Sequence, residues 1–160
     1  MRSPQLYKQM AYACSGLKRI YERPSLVITF EEGVMMLQTA GAKQDVFEDI
    51  NVQNKRLLRK LVRTNYIIDK FPLAVRPFYT MPDPKENRWS NSYDVMIRGE
   101  EIASGSQPVH DPKLLKERLQ LMSIPQTALE PYVEAFKFGV LPHGACGIGL
   151  ERVVMSFFGL

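Results

Sequence analysis

The stretch SYDVMIRGEEIASGS, residues 92–106, decides the fold class. Apolar Tyr93, Val95 and Ile97 are separated by single residues, and this two-residue period is typical of a β-strand. A glycine-containing turn near residues 98–100 then allows the chain to reverse. We therefore predict a hairpin of two antiparallel strands, with Glu101 and Ser104 on the returning strand.

Segments with helical spacing lie on both sides of this hairpin in the sequence. The clearest is TFEEGVMMLQTAG, residues 29–41, which carries a capping box of Thr29 with Glu32 and ends at Gly41, a residue type favoured at a helix C-terminus. Residues 71–80 contain two prolines and predict an edge strand or an irregular segment. The result is an α+β fold in which helices flank an antiparallel sheet. Further helices are predicted over residues 3–14, 51–66, 110–122, 125–136 and 153–158.

The composition predicts one globular domain inside the cell. The chain has 160 residues, of which 45% are hydrophobic, and this is enough to bury a core. Its formal charge of +4 suits a polyanionic partner without demanding one. Cys14 and Cys146 match no metal-ligand spacing, which favours a reducing compartment. The sequence has neither a signal-peptide core nor an apolar run long enough to span a bilayer, so we predict a cytoplasmic protein with no membrane partner.

A glycine-rich turn lies in LPHGACGIGLERVV, residues 141–154. Glycines at the entrance to a helix let backbone N–H groups approach phosphate oxygens, and the helix N-terminus adds positive potential. The turn is neither a dinucleotide-binding fingerprint nor a Walker loop, because it lacks the following strand and the Lys-Ser/Thr pair. From the pattern alone, an anion site and close packing of helix against strand both remain open.

Four blocks, in order, resemble one family. They are SPQLYKQM (3–10), FPLAVRPFYTMPDP (71–84), SNSYDVMIRGEEIASGSQ (90–107) and FGVLPHGACGIGLERVVM (138–155). Together they are similar to the catalytic domain of eukaryotic cytosolic aspartyl-tRNA synthetases, class II enzymes of the aspartate, asparagine and lysine subgroup. The resemblance implies an aspartate-tRNA ligase, which activates aspartate with ATP and Mg2+ to aspartyl-adenylate and transfers it to tRNA. Residues 1–160 would then form part of a class II catalytic domain.

The resemblance also implies roles for single residues. Glu101 and Ser104 would bind the Mg2+ of ATP, with Ser104 also facing the amino acid, and Arg152 would pack on adenine and meet the terminal phosphate. These three would be the catalytic residues. Mg2+ prefers oxygen ligands and arginine suits phosphate, so the residue types fit these roles. The implied ATP contacts also include Gly147, Gly149, Leu150 and Glu151, and the implied aspartate contacts are Gln5 and Lys8 in addition to Ser104.

The sequence departs from the family at several places. The family's Phe-Arg-x-Glu strand, which binds the α-phosphate, is expected after CSGLKRIYE (14–22), where the chain instead continues RPSLVITF (23–30). Pro108 takes the place of the arginine that grips the aspartate side chain, and we expect it also to remove a strand N–H. Ala145 takes the place of a glycine, where a methyl group is expected to obstruct close approach. The family's dimer motif and anticodon-binding barrel are not recognised, so homodimerisation is not predicted.

Two functions from different classes remain open. The first is an aspartate-tRNA ligase sequence. The second is a catalytically inactive relative that acts as an interaction or regulatory module. Loss of the central strands would in addition expose unpaired sheet edges and favour poor folding or association. In either case, we predict that this chain alone does not charge tRNA.

Overall fold

The computed structural model describes residues 26–63 and 65–158, which form one sheet with helices around it. The spatial order of the strands follows their order along the chain. β1 and β2 are parallel, and every later neighbouring pair is antiparallel. The predicted α+β class with an antiparallel sheet is confirmed, with the addition of one parallel pair. The strands are β1 (Leu26–Thr29), β2 (Tyr66–Asp69), β3 (Ser92–Ile97), β4 (Glu100–Ser106) and β5 (Ala145–Ile148).

The described residues also form five helices. Two precede the hairpin of β3 and β4, two follow it, and the last comes directly after β5. Short 3-10 turns lie at Leu73–Val75 and Gln126–Leu129. The helix predicted over residues 3–14 lies outside the described residues. The helices are α1 (Phe30–Thr39), α2 (Val52–Val62), α3 (Pro112–Leu121), α4 (Glu130–Phe136) and α5 (Leu150–Phe158).

Helix α1 begins and ends as its sequence predicts. The Glu32 N–H donates to Thr29 Oγ1 at 3.2 Å, and the Thr29 N–H donates to Glu32 Oε2 at 2.7 Å, which completes the capping box. Gly41 follows the C-cap with φ of +85°, and the Ala42 N–H donates to the Leu37 carbonyl at 3.0 Å. This pattern closes a helix C-terminus in the way that glycine favours. The apolar stripe of the helix is fully buried: Phe30, Val34 and Leu37.

The predicted helix over residues 51–66 is too long. It ends at Val62 because Arg63 takes a left-handed conformation, and Tyr66 already belongs to β2. Tyr66 and Ile68 are 1% and 3% exposed, so burial against the sheet outweighs the helical pattern of the preceding residues. Strands β1 and β2 were not predicted. Each is only four residues long, which is too short to show the two-residue alternation that identifies a strand in a sequence.

The hairpin at residues 92–106 is confirmed. Arg98 and Gly99 form its two-residue turn with φ of 52° and 80°. Two successive positive φ angles are typical of the type I′ turn, whose twist matches that of the two strands. Glu101 and Ser104 lie on the returning strand, as predicted.

A β-bulge interrupts the pairing of β3 with β4. Asp94 pairs with Ser104, whereas Met96 pairs with Glu101, so Ile102 is an extra residue in β4. Asp94 and Met96 are two residues apart and therefore share a face of the sheet. Their partners Glu101 and Ser104 share that face too, although residues three apart on a regular strand point to opposite faces.

Two hydrophobic clusters support the sheet. The first joins α1 and α2 to β1, β2 and β3, and the second joins α3 and α4 to the segment after β4. The first consists of Ile28, Phe30, Val34, Leu37, Ile50, Leu58, Tyr66, Ile68, Phe71, Trp89 and Met96. The second consists of Val109, Leu115, Leu119, Val133 and Phe136.

Strand β5 and helix α5 lie outside both clusters. All four residues of β5 are exposed, and β4 is the only strand that pairs with it in the part of the chain described. Helix α5 presents apolar residues to solvent, with Leu150 75% exposed. Among the described residues β5 thus forms one edge of the sheet, and the predicted effect of unpaired edges on folding or association stays a prediction.

Gly105 is required for the close packing of β3, β4 and β5. A Cβ atom at this position would lie 2.5 Å from the Tyr93 hydroxyl and 2.8 Å from the Ala145 carbonyl oxygen. We expect Gly105→Ala to lower the free energy of unfolding by about 1–3 kcal/mol, as overpacking does. The measurement is urea unfolding followed by circular dichroism.

Gly147→Ala is the matched control, because the only described atom that a Cβ there would meet is the Ser104 carbonyl oxygen, at 3.9 Å. Its free energy of unfolding should stay within about 0.5 kcal/mol of the wild-type value. Equal losses in the two variants would contradict the close packing assigned to Gly105.

Candidate active site

The bulge in β4 also holds the turn between β5 and α5. The Ile102 carbonyl accepts a hydrogen bond from the Gly149 N–H at 2.9 Å. One residue earlier, the Glu101 carbonyl accepts from Arg152 Nη1 at 2.7 Å. The glycine-rich turn and its arginine are thereby fixed beside the predicted metal-binding carboxylate.

Glu101 and Arg152 form only a loose ion pair. Arg152 Nη1 lies 3.9 Å from Glu101 Oε1, and the two side chains are 33% exposed for Glu101 and 53% exposed for Arg152. An exposed pair of this kind contributes little to stability. Because a guanidinium carries five N–H donors, Arg152 can keep its bond to the Glu101 carbonyl and still donate to a ligand. A cleft of about 270 Å³ opens beside the pair, with Lys55 and Arg56 of α2 in its wall.

Ser104 belongs to a buried polar group that the sequence did not predict. Its hydroxyl donates to Asp94 Oδ1 at 2.7 Å, and Arg76 Nη2 donates to the same oxygen at 2.8 Å. Asp94 is 5% exposed, so its charge depends on these two donors. Sequence alternation could have placed Asp94 on the strand, but not its partner Arg76, which comes from an irregular segment.

Gly147 in β5, with Gly144 and Gly149 on either side of the strand, leaves open space among the described residues. Gly147 lies opposite Ser104, and a Cβ at Gly144 would meet no atom of the residues that the structure describes within 4 Å. A Cβ at Gly149 would make only ordinary contacts, 3.5 Å or more from the Arg152 side chain. Close packing of helix against strand therefore does not explain these glycines, and the surface over them is accessible to a ligand.

The other predicted site residues have weaker support. Leu150 is exposed, and Glu151 lies in the first turn of α5, where a carboxylate stabilises the helix dipole. Their contacts with ATP stay predictions. Gln5 and Lys8 lie outside the described residues, so their contacts with aspartate stay predictions as well.

A cavity of about 500 Å³ lies at the end of β2, between β3 and the start of β5. Asp69 is part of its wall, and its Oδ1 is buried without a hydrogen-bond partner among the residues described. Burial raises the pKa of the Asp69 carboxyl above its usual value. The sequence feature that could have identified Asp69 as a candidate site residue is its position directly after the apolar run YII, residues 66–68. The lining is Asp69, Lys70, Asn91, Ser92, Tyr93, Ser106, Gln107, Gly144, Ala145 and Cys146.

Both described cations near this cavity are already paired. Lys70 Nζ lies 2.6 Å from Asp83 Oδ2 and donates to Asn91 Oδ1 at 2.8 Å. The hydrogen bond from Lys70 holds the pKa of Asp83 below its usual range. Arg76, which lines the adjoining cavity of about 320 Å³, is paired with Asp94.

The pairing of Pro108 with Thr80 needs no N–H at residue 108, so the predicted loss of a strand N–H does not break this bridge. Pro108 lies two residues beyond the end of β4 and forms an isolated bridge with Thr80. The bonds of that bridge run from the Met81 N–H to the Gln107 carbonyl at 2.9 Å and from the Val109 N–H to the Tyr79 carbonyl at 2.7 Å. Both bypass the proline nitrogen. The replacement of an aspartate-binding arginine by Pro108, which the family resemblance implies, stays a prediction.

Ala145 lies in the wall of both cavities. The predicted obstruction by this residue stays a prediction. The described residues contain no group of three or more histidine, cysteine or acidic side chains that would hold a metal by themselves. None of the described helices is long and apolar enough to cross a membrane.

Comparisons with known proteins agree with this architecture. A family model described as tRNA synthetases class II (D, K and N) matches residues 23–160. The cytoplasmic aspartate-tRNA ligase of Rattus norvegicus is 46% identical over 154 residues, which is 93% of this chain and 30% of that protein. The chain thus spans about a third of the length of the curated relatives it matches.

Solved structures give the same result. The aspartyl-tRNA synthetase of Entamoeba histolytica matches with a TM-score of 0.83 at 44% identity, over 86% of this chain and 29% of that one. Asparaginyl-tRNA synthetase of Pyrococcus horikoshii, complexed with asparaginyl-adenylate, matches with a TM-score of 0.81 at 26% identity, over 86% of this chain and 32% of that one. This chain therefore belongs to the class II tRNA synthetases of the D, K and N group.

Proposed function

We propose that this chain supplies the ATP-binding and amino-acid-binding part of an aspartate-tRNA ligase, as part of a class II catalytic domain. The observation that carries the proposal is the placement of Glu101 and Ser104 on one face of β4, which the bulge at Ile102 produces, with Arg152 Nη1 3.9 Å from Glu101 Oε1. The similarity to aspartate-tRNA ligases named as cytoplasmic supports both the reaction, aspartate activation by ATP and transfer to tRNA, and the cytoplasmic location.

The donor atoms fit Mg2+ bound to ATP. A carboxylate of Glu101 and a hydroxyl of Ser104 share one face of the sheet, and both are oxygen ligands of the kind that Mg2+ prefers. Mg2+ typically keeps several waters and takes few protein ligands beside the phosphates, so a dense acidic cluster is not needed. When bound, the metal would neutralise phosphate charge during attack at the α-phosphorus.

Arg152 would bind the terminal phosphates. Its guanidinium is held by the Glu101 carbonyl, and its remaining donors suit phosphate oxygens. The N-terminus of α5, which begins at Leu150 two residues before Arg152, would add positive potential for phosphate. Gly147 and Gly149 leave the space in which the nucleotide would lie.

The amino acid would occupy the larger cavity. Asp69, a carboxylate without a partner among the described residues, suits the α-ammonium group of the substrate. We assign aspartate as the amino-acid substrate because the relatives are aspartate-tRNA ligases. Pro108 lacks the guanidinium that the resemblance implies for binding the aspartate side chain. Gln5 and Lys8 remain the proposed aspartate contacts from the N-terminal segment.

ATP binding tests the site directly. We expect the 160-residue chain to bind ATP with Mg2+ in isothermal titration calorimetry. Arg152→Ala should weaken binding by about 1.5–3 kcal/mol, the value of a hydrogen bond to a charged group. That loss is about ten- to hundredfold in Kd. Glu101→Gln should weaken binding in Mg2+ more than in EDTA.

Arg88→Ala is the control, since Arg88 pairs with Glu86 at an exposed position outside the three clefts of the site. It should leave the Kd within twofold of the wild-type value. A folded chain that does not bind ATP would contradict the proposal and favour an inactive interaction module.

Transfer to tRNA is expected to need more than this chain. The family's strand that binds the α-phosphate is not recognised between Glu22 and Arg23, so the purified chain should form no aspartyl-tRNA. The measurement is charging of tRNA with radiolabelled aspartate, beside aspartate-dependent exchange of pyrophosphate into ATP. Charging by the chain alone would show that the missing strand is dispensable.

Asp69 should make stability depend on pH. Because its pKa is higher in the folded state than in the unfolded chain, where a value of about 3.9 is usual, its contribution to stability is full below that unfolded pKa and is lost as the pH rises through the folded pKa. Asp69→Asn removes the buried charge. We therefore expect this variant to unfold at higher urea than the wild type at pH 7, with a difference that shrinks toward pH 3.5.

Asp49→Asn serves as the control at an exposed carboxylate. It should change the urea midpoint little and equally at both pH values. If Asp69→Asn behaves in the same way, the carboxylate of Asp69 is not destabilised by burial.

A further inference from the structure

The polar group beneath Ser104 has a definite direction of hydrogen bonding. Ser104 Oγ lies 2.7 Å from Asp94 Oδ1, and Arg76 Nη2 lies 2.8 Å from the same oxygen. An ionised carboxylate only accepts hydrogen bonds, so the Ser104 hydroxyl is the donor. Its proton points at Asp94, and its lone pairs point elsewhere.

Arg76 is itself held firmly. Its guanidinium carbon lies 3.7 Å from the centroid of the Phe71 ring, and Phe71 packs against Phe30 with ring centroids 4.9 Å apart. The Arg76 side chain is only 16% exposed. A planar cation that stacks on an aromatic ring and donates to a carboxylate cannot be replaced by lysine without losing one of the two contacts.

Removing Arg76 would leave the Asp94 carboxylate buried without its cation. A buried charge that loses its partner is strongly unfavourable, so the local structure would change to relieve it. Water could enter, or the Asp94 side chain could turn. Each change would release the Ser104 hydroxyl, whose oxygen would then no longer be fixed as an acceptor.

We propose that Arg76 is a positioning residue that acts through Asp94 to hold the Ser104 oxygen as a ligand for a cation. The inference rests on the proposed function, in which that cation is the Mg2+ of bound ATP. The cavity of about 320 Å³ beside Arg76 and Ser104 is bordered by Gly147, which lies opposite Ser104 on β5. The contacts from Phe71 to Arg76, from Arg76 to Asp94 and from Asp94 to Ser104 thus join the hydrophobic core to the surface over which the nucleotide is proposed to lie.

The experiment measures ATP affinity with saturating Mg2+ and with EDTA, by titration calorimetry on the 160-residue chain. Arg76→Met should weaken binding tenfold or more in Mg2+ and less than twofold in EDTA. Arg76→Lys should give an intermediate loss in Mg2+. Arg88→Met is the matched control, because Arg88 also pairs with a carboxylate and faces an aromatic ring, 5.4 Å from the Phe47 centroid, but is exposed.

A double-mutant cycle separates positioning from simple support of the fold. If Arg76 acts through Ser104, Arg76→Met should have less than twofold effect in a Ser104→Ala background. Equal losses in Mg2+ and in EDTA, or additive losses in the cycle, would overturn the proposal. If Arg76→Met does not fold, the double variant Arg76→Met with Asp94→Asn removes both charges. Its ATP affinity should then be weakened tenfold or more in Mg2+ and less than twofold in EDTA, as expected for Arg76→Met.

The two proposals fail differently. A folded wild-type chain that binds no ATP with Mg2+ overturns the proposed function and, with it, the role of Arg76. The role of Arg76 alone is overturned if the wild-type chain binds ATP with Mg2+ and the Arg76→Met variant gains as much ATP affinity from Mg2+ as the wild type does.

Discussion

One extra residue in a strand, Ile102, is the constraint on which the proposed site depends. A regular hairpin would place Glu101 and Ser104 on opposite faces of the sheet, where they could not share a ligand. The bulge brings both to one face, and its carbonyl holds the N–H of Gly149. The same short segment therefore places the two proposed oxygen ligands on one face and positions the helix that carries Arg152. Bulges are common next to active sites because they redirect a side chain in this way.

The hairpin and the helix caps could be predicted from sequence because their signals are local. The capping box of Thr29 and Glu32, and the turn at Gly99, each depend on a few adjacent residues. The bulge could not be predicted, since the letters EEIASG contain no mark of an extra residue. Arg76 was missed because its partner Asp94 lies on a distant strand, and Asp69 was missed because the cavity beside it is formed by residues far away in the sequence. Strand β2 was missed because its four residues continue an apparent helix.

The site uses buried polar groups at the expense of stability. In β3 the more buried residues are Ser92, Asp94 and Met96, whereas the apolar residues between them are only half-buried. Asp94 is compensated by Arg76 and Ser104, while Asp69 has an oxygen without a described partner. Functional sites commonly keep such groups because a ligand completes their interactions. The exposed β5 and α5 show that this part of the fold gains little from the two hydrophobic clusters.

The most direct test locates the metal itself. Crystals of the chain grown with ATP and Mn2+, which stands in for Mg2+ and scatters anomalously, would show the position of the ion. We predict an anomalous peak about 2.1 Å from oxygens of both Glu101 and Ser104, the distance that Mg2+ prefers, with phosphate density beside Arg152. A peak that contacts only one of the two side chains, or that lies elsewhere on the sheet, would contradict the claim that the bulge builds a shared metal site.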